Sequence, residues 1–82
     1  MSFEGFEAKR GIVERELSRL MAAIFPGRVS RLEYRLRDSG DEQQELVLIH
    51  FAGGYTRRVD VTGLDGPQSC RAVLDELCLE VV

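Results

Sequence analysis

Between residues 3 and 24 the apolar positions Phe3, Phe6, Val13, Leu17, Leu20 and Ile24 recur at intervals of three, four and seven. That spacing stacks side chains on one face of a helix. Ser2 can cap its start, Glu4 and Glu7 suit the positive end of its dipole, and Pro26 forces Phe25 out of the helical region, so the helix is expected to end near Phe25. Gly5 and Gly11 each weaken a helix by about 1 kcal/mol relative to alanine. The stretch before Ile12 is therefore expected to fray or to form a segment of its own.

From Val29 the period changes to two. Leu32, Tyr34 and Leu36 alternate with Arg31, Glu33, Arg35 and Arg37, the pattern of a half-buried strand. The polar stretch 38–44 contains Gly40 and reads as a hairpin loop, and Glu45 to Ala52 is a second strand. Gly53 and Gly54 predict a two-residue turn, because both positions of such a turn need positive φ. Tyr55 to Thr62 is then the third strand. Asp65 and Gln68 can form a capping box around Pro67, opening a last helix whose apolar face is Cys70, Val73, Leu74, Leu77, Cys78 and Val81.

The order is α-β-β-β-α: an α+β fold in which a three-stranded antiparallel meander carries two helices on one face. The 82 residues have room for one core, so residues 1–82 are read as one small α+β domain.

A two-residue turn at Gly53-Gly54 sets Ala52 opposite Tyr55, His50 opposite Arg57, Leu48 opposite Val59 and Leu46 opposite Val61. With Leu36 beside Leu46, the helix-facing side collects Leu32, Tyr34, Leu36, Leu46, Leu48, Val59 and Val61. His50 and Arg57 fall towards one end of that side, where a tyrosine or a helix acid can satisfy them. The open face would then carry an apolar ridge of Val47, Ile49 and Phe51 between Arg31, Glu33, Arg35, Thr56, Arg58 and Asp60. Burying three such side chains is worth about 5–9 kcal/mol gross, comparable with the roughly 4–15 kcal/mol that association costs. Alternatively the arginine stems lie across the ridge and shield it.

Composition narrows the function classes. Charged residues make up 30% of the chain and the net charge is −3, which argues against a protein dedicated to coating nucleic acid. No run approaches the roughly 20 apolar residues of a membrane span, and the first ten residues lack the apolar region of a signal peptide, so a cytoplasmic location is expected. Cys70 and Cys78 sit eight apart on one helix, about 12 Å at 1.5 Å per residue, too far for a disulfide. They read as small core residues. With His50 the sole histidine, no zinc spacing occurs, and His50 reads as a structural residue. The acid pairs Glu14/Glu16, Glu42/Glu45 and Asp75/Glu76 read as solubilising charge, so no catalytic dyad is expected. No nucleotide, metal or cofactor motif is present, and no small-molecule substrate is suggested.

The reading that follows is a small non-enzymatic interaction or regulatory module that associates, as a homodimer or with a partner protein, through the open sheet face. Val47, Ile49 and Phe51 are its anchors, with Arg31, Glu33, Arg35 and Arg58 as the rim. The alternative is a nucleic-acid-binding module using the arginine-rich face around Phe51 as a stacking platform. The element order is similar to that of the double-stranded-RNA-binding domain, a resemblance that implies RNA as a ligand. The start of the second helix, where that family carries its basic cluster, reads Asp65-Gly-Pro-Gln-Ser-Cys-Arg71 here.

Overall fold

The computed structural model describes residues 3–81, with the side chains of residues 3–5, 39, 80 and 81 outside the description. Ser2 and the side chains of Phe3, Glu4 and Val81, assigned above to a cap, the dipole and two apolar stripes, therefore lie outside the described residues. The fold is α+β, with the three-stranded antiparallel sheet between the two expected helices. The first helix is a continuous rod: α1 (Phe3–Gly11), a π-helical segment (Ile12–Leu17) and α2 (Ser18–Ile24) follow without interruption. The Ser18 N–H reaches back five residues to the Val13 carbonyl as well as to Arg15, the bond that defines a π turn. It ends where expected, at Phe25, whose φ of −120° and ψ of 65° precede Pro26.

The wide turn changes which residues are buried. An α-helix turns about 100° per residue, so residues four apart drift by about 40° per step. One extra residue in the turn cancels most of that drift, and Val13, Leu17 and Met21 become buried at a spacing of four. Leu20 and Ile24, expected in the core on an all-α stripe, are 43% and 48% exposed instead.

β1 (Val29–Ser39), β2 (Glu42–Phe51) and β3 (Thr56–Asp60) are in the order β1-β2-β3, with β2 central. Both hairpins differ from expectation by one residue. Ser39 pairs with Glu42, so the first turn is only Gly40-Asp41, with positive φ confined to Gly40, and most of the polar stretch 38–44 is strand. In the second, the Phe51 N–H donates to the Tyr55 carbonyl and the Gly54 N–H to Phe51. The loop is therefore three residues long, Ala52 to Gly54. Gly54 alone takes a positive φ, 91°, as a three-residue hairpin loop requires at its last position.

These two shifts compound on β2 alone. Val47 pairs with both Tyr34 and Val59, and Leu48 with Glu33 and Arg58. The faces expected for β1 and β3 hold, but β2 is reversed between them. Val47, Ile49 and Phe51 are not an exposed ridge: they are 0%, 0% and 7% exposed, in one core cluster with Leu32, Tyr34, Val59, Val61, Val73 and Leu77. Leu46 and Leu48, expected under the helices, lie on the other face. A bulge between Val29 and Arg31 brings Val29 back into the core.

The last helix, α3 (Gly66–Val81), opens with the expected capping box. The Gln68 N–H donates to Asp65 Oδ1 at 2.8 Å and the Asp65 N–H to Gln68 Oε1 at 3.1 Å. Its buried line is Ser69, Val73 and Leu77. This leaves Cys70 half-buried against the core and Cys78 exposed, so Cys78 is not the core residue its spacing suggested.

Candidate functional site on the outer face of the sheet

β2 faces outward through Gln44, Leu46, Leu48 and His50, between Arg31, Glu33, Arg35 and Arg37 of β1 and Thr56, Arg58 and Asp60 of β3. Of the expected interface residues, Arg31, Glu33, Arg35 and Arg58 are therefore on this face and the three anchors are not. Half-buried Leu46 and Leu48 take the anchors' place. With Arg35, Leu36, Arg37 and Arg58 they line a shallow depression of about 330 Å³.

One end of the face is internally neutralised. Glu33 Oε1 accepts from His50 Nε2 at 2.9 Å and lies 3.6 Å from an Arg31 guanidinium nitrogen, while Oε2 accepts from Arg35 Nε at 2.7 Å. The Arg35 and His50 hydrogen bonds hold the Glu33 carboxyl below the usual carboxylate range. His50, expected on the helix side, is thus a neighbour of Arg31 on the outer face. Asp60 is likewise engaged, accepting from the Thr62 hydroxyl at 2.6 Å and the Thr62 N–H at 2.9 Å, and these bonds lower its pKa. Arg37 and Arg58 form no ion pair with a described side chain. The depression thus has an apolar floor and unneutralised guanidinium groups at its margin.

The stacking platform imagined around Phe51 is not on this face. Phe51 lies on the helix side and stacks on Tyr55, with centroids 4.6 Å apart and planes at 14°. Arg57 also points to the helix side, as expected, and the helix acid that satisfies it is Glu76, at 2.7 Å.

A second polar constellation lies under the helices, and sequence reasoning missed it. Glu45, read above as surface charge, is 2% exposed. Its Oε1 accepts from the Tyr34 hydroxyl and lies 2.9 Å from Lys9 Nζ, and its Oε2 accepts from the Gly63 N–H at 2.9 Å. Lys9 also donates to the carbonyls of Val61 and Leu64, at 2.9 and 2.6 Å. Burial alone would raise the Glu45 pKa, but the bonds from Tyr34, Gly63 and Lys9 outweigh it and the net shift is downward. Burial, reinforced by the Glu45 hydrogen bond, pushes the Tyr34 hydroxyl up. The available signal was Glu45 heading the alternate row Glu45, Val47, Ile49, Phe51, legible only once the register of β2 is known.

Two further acids are structural. The Tyr34 N–H donates to Glu14 Oε2 at 3.0 Å, and the Leu32 N–H to Ser18 Oγ at 2.8 Å, with Ser18 Oγ donating in turn to the Leu32 carbonyl at 3.2 Å. The helical rod therefore occupies part of the free edge of β1. Glu76 is the other, through Arg57.

Among the described residues no group of three or more His, Cys, Asp or Glu side chains could hold a metal ion, and no helix is long and apolar enough to cross a membrane. No protein family, curated protein or solved structure matches the chain.

Proposed function

We propose that the protein is a non-catalytic interaction module that binds an acidic, partly apolar segment of a partner protein on the outer face of its sheet. The observation that carries this reading is the depression floored by Leu46 and Leu48 and flanked by Arg35, Arg37 and Arg58. Guanidinium groups around an apolar floor complement carboxylates alternating with apolar side chains. A second copy of the same face would bring like-charged margins together, which disfavours symmetric pairing through this patch. Nucleic acid would find cations for its phosphates, but among the described residues of this face the one aromatic ring is the His50 imidazole, already held by Glu33, and no Phe, Tyr or Trp is there for its bases.

The test is fluorescence anisotropy with a labelled extended peptide alternating Glu and Leu, against a single-stranded oligonucleotide of equal charge. Peptide binding that weakens with salt and is lost in Arg37→Glu/Arg58→Glu supports the proposal. Undiminished binding by that variant, or binding of the oligonucleotide alone, overturns it. So does light scattering that shows a dimer dissociated by Leu48→Glu, since the occupant would then be a second copy.

A further inference from the structure

Among the described residues the polar partners of the Lys9 ammonium are three oxygens, Glu45 Oε1, the Val61 carbonyl and the Leu64 carbonyl, at 2.9, 2.9 and 2.6 Å. Three acceptors match the three N–H bonds of an ammonium group. We propose that this cage is a recognition site for a primary alkylammonium, filled in this conformation by the chain's own Lys9 and open to an external ligand when α1 lifts away.

Three observations support the exchange. None of the cage groups belongs to α1. Glu45 is fixed by the Tyr34 hydroxyl and the Gly63 N–H, so its carboxylate is held in place without Lys9. Next, among the described residues Lys9 makes every hydrogen bond and ion pair between α1 and the sheet or the 61–64 segment. Its other described side chains are exposed or half-buried, and the Arg10 guanidinium lies 6.0 Å from the Tyr34 ring centroid. Finally, a depression of about 320 Å³ adjoins the cage, and Ile12, Leu64 and Gly66 among its walls lie outside α1 and offer apolar surface to a methylene stem.

The cage selects by shape and donor number. A quaternary ammonium has no N–H to donate, and a guanidinium is a flat fork that does not converge on three inward-pointing oxygens. A buried carboxylate also resists being left without a cation, so whatever displaces Lys9 has to bring one. Lysine side chains and free aliphatic polyamines share this chemistry. The site is on the helix side of the sheet and stands independently of the arginine-lined face.

The experiment uses full-length Lys9→Ala with n-butylammonium chloride, and tetramethylammonium chloride at equal ionic strength as control. The expected result is a rise in thermal midpoint of about 5–10 °C at tenfold excess over Kd, growing with the logarithm of concentration, accompanied by a saturable shift of the Gly63 amide resonance. Tetramethylammonium should produce neither, and Lys9→Ala/Glu45→Gln should respond to neither salt. Tighter binding of Nα-acetyl-lysine methylamide than of spermidine assigns a peptide source, and the reverse order a free polyamine. In the wild-type chain n-butylammonium should accelerate hydrogen exchange of the α1 amides without changing β2, a readout that holds even if Lys9→Ala does not fold. No saturable response, an equal effect of tetramethylammonium, or unchanged α1 exchange in the wild type overturns the proposal.

Discussion

Lys9 and Glu45 form a buried ion pair, 2.9 Å between Nζ and Oε1, with side chains 12% and 3% exposed. Breaking such a pair leaves one charge without compensation, whereas replacing both partners by apolar groups removes the problem along with the attraction. Lys9→Met is therefore expected to destabilise the fold by about 3–5 kcal/mol. Lys9→Met/Glu45→Leu should recover a large part of that loss. Urea unfolding of the two single variants and the double variant measures the coupling, and strictly additive losses would contradict it.

The carboxyls of Glu45, Glu33 and Asp60 all have folded-state pKa values below their ordinary 4.5, 4.5 and 3.8. For groups shifted in this direction the stabilisation is present above the unfolded value and is lost as pH falls through the folded one. The urea midpoint should hold near neutrality and decline below about pH 4.5. Glu45→Gln should flatten part of that decline. At the other end the raised Tyr34 value favours the neutral phenol, so stability should fall again as pH rises above 10 and through the folded value, and Tyr34→Phe should lack that limb.

The reversal of β2 is open to a direct mutational comparison. Ile49 is fully buried and Leu48 half-buried beside Arg58. Ile49→Glu should cost about 4 kcal/mol or more by burying an unpaired charge, while Leu48→Glu should stay within about 1 kcal/mol. Circular-dichroism melts of the two variants decide the matter, and the opposite ranking would restore the register expected from a two-residue turn.

Ser18 closes part of the free edge of β1 by bonding both the N–H and the carbonyl of Leu32. Ser18→Ala leaves a backbone donor without its acceptor, with an expected loss of about 1–3 kcal/mol. Ser18→Thr keeps the hydroxyl and should lose less. Hydrogen exchange at the Leu32 amide should quicken in the alanine variant, and an unchanged rate would show that the contact does not protect the edge.

Element order, the helix stop at Pro26 and the capping box of Asp65 and Gln68 were legible because each depends on residues close in sequence. The face of β2 was not. Leu46-Val47-Leu48-Ile49 is apolar at both parities, so only the turns could decide it, and Gly53-Gly54 suits a three-residue loop with one positive φ as well as a two-residue loop with two. That single residue also hid the cage, since the wrong parity sends Glu45 into water. Arg31, Glu33, Arg35 and Arg58 were placed correctly because β1 alternates cleanly and the face of β3 is set by Val59 and Val61. The π segment carried no sequence signal that periodicity could detect. It shows only in Met21 replacing Leu20 and Ile24 beneath the sheet.

That widened turn acts as a shim between two halves of the rod. In a regular helix Lys9 and Met21 would point about 120° apart. Here, with one residue taken up by the π segment, Lys9 seats on Glu45 while Ser18 seats on Leu32 and Met21 is wholly enclosed. Both ends of the rod thus face the same layer, and deleting one residue between Lys9 and Ser18 would swing Lys9 about 100° off Glu45 while Ser18 and Met21 keep their seats.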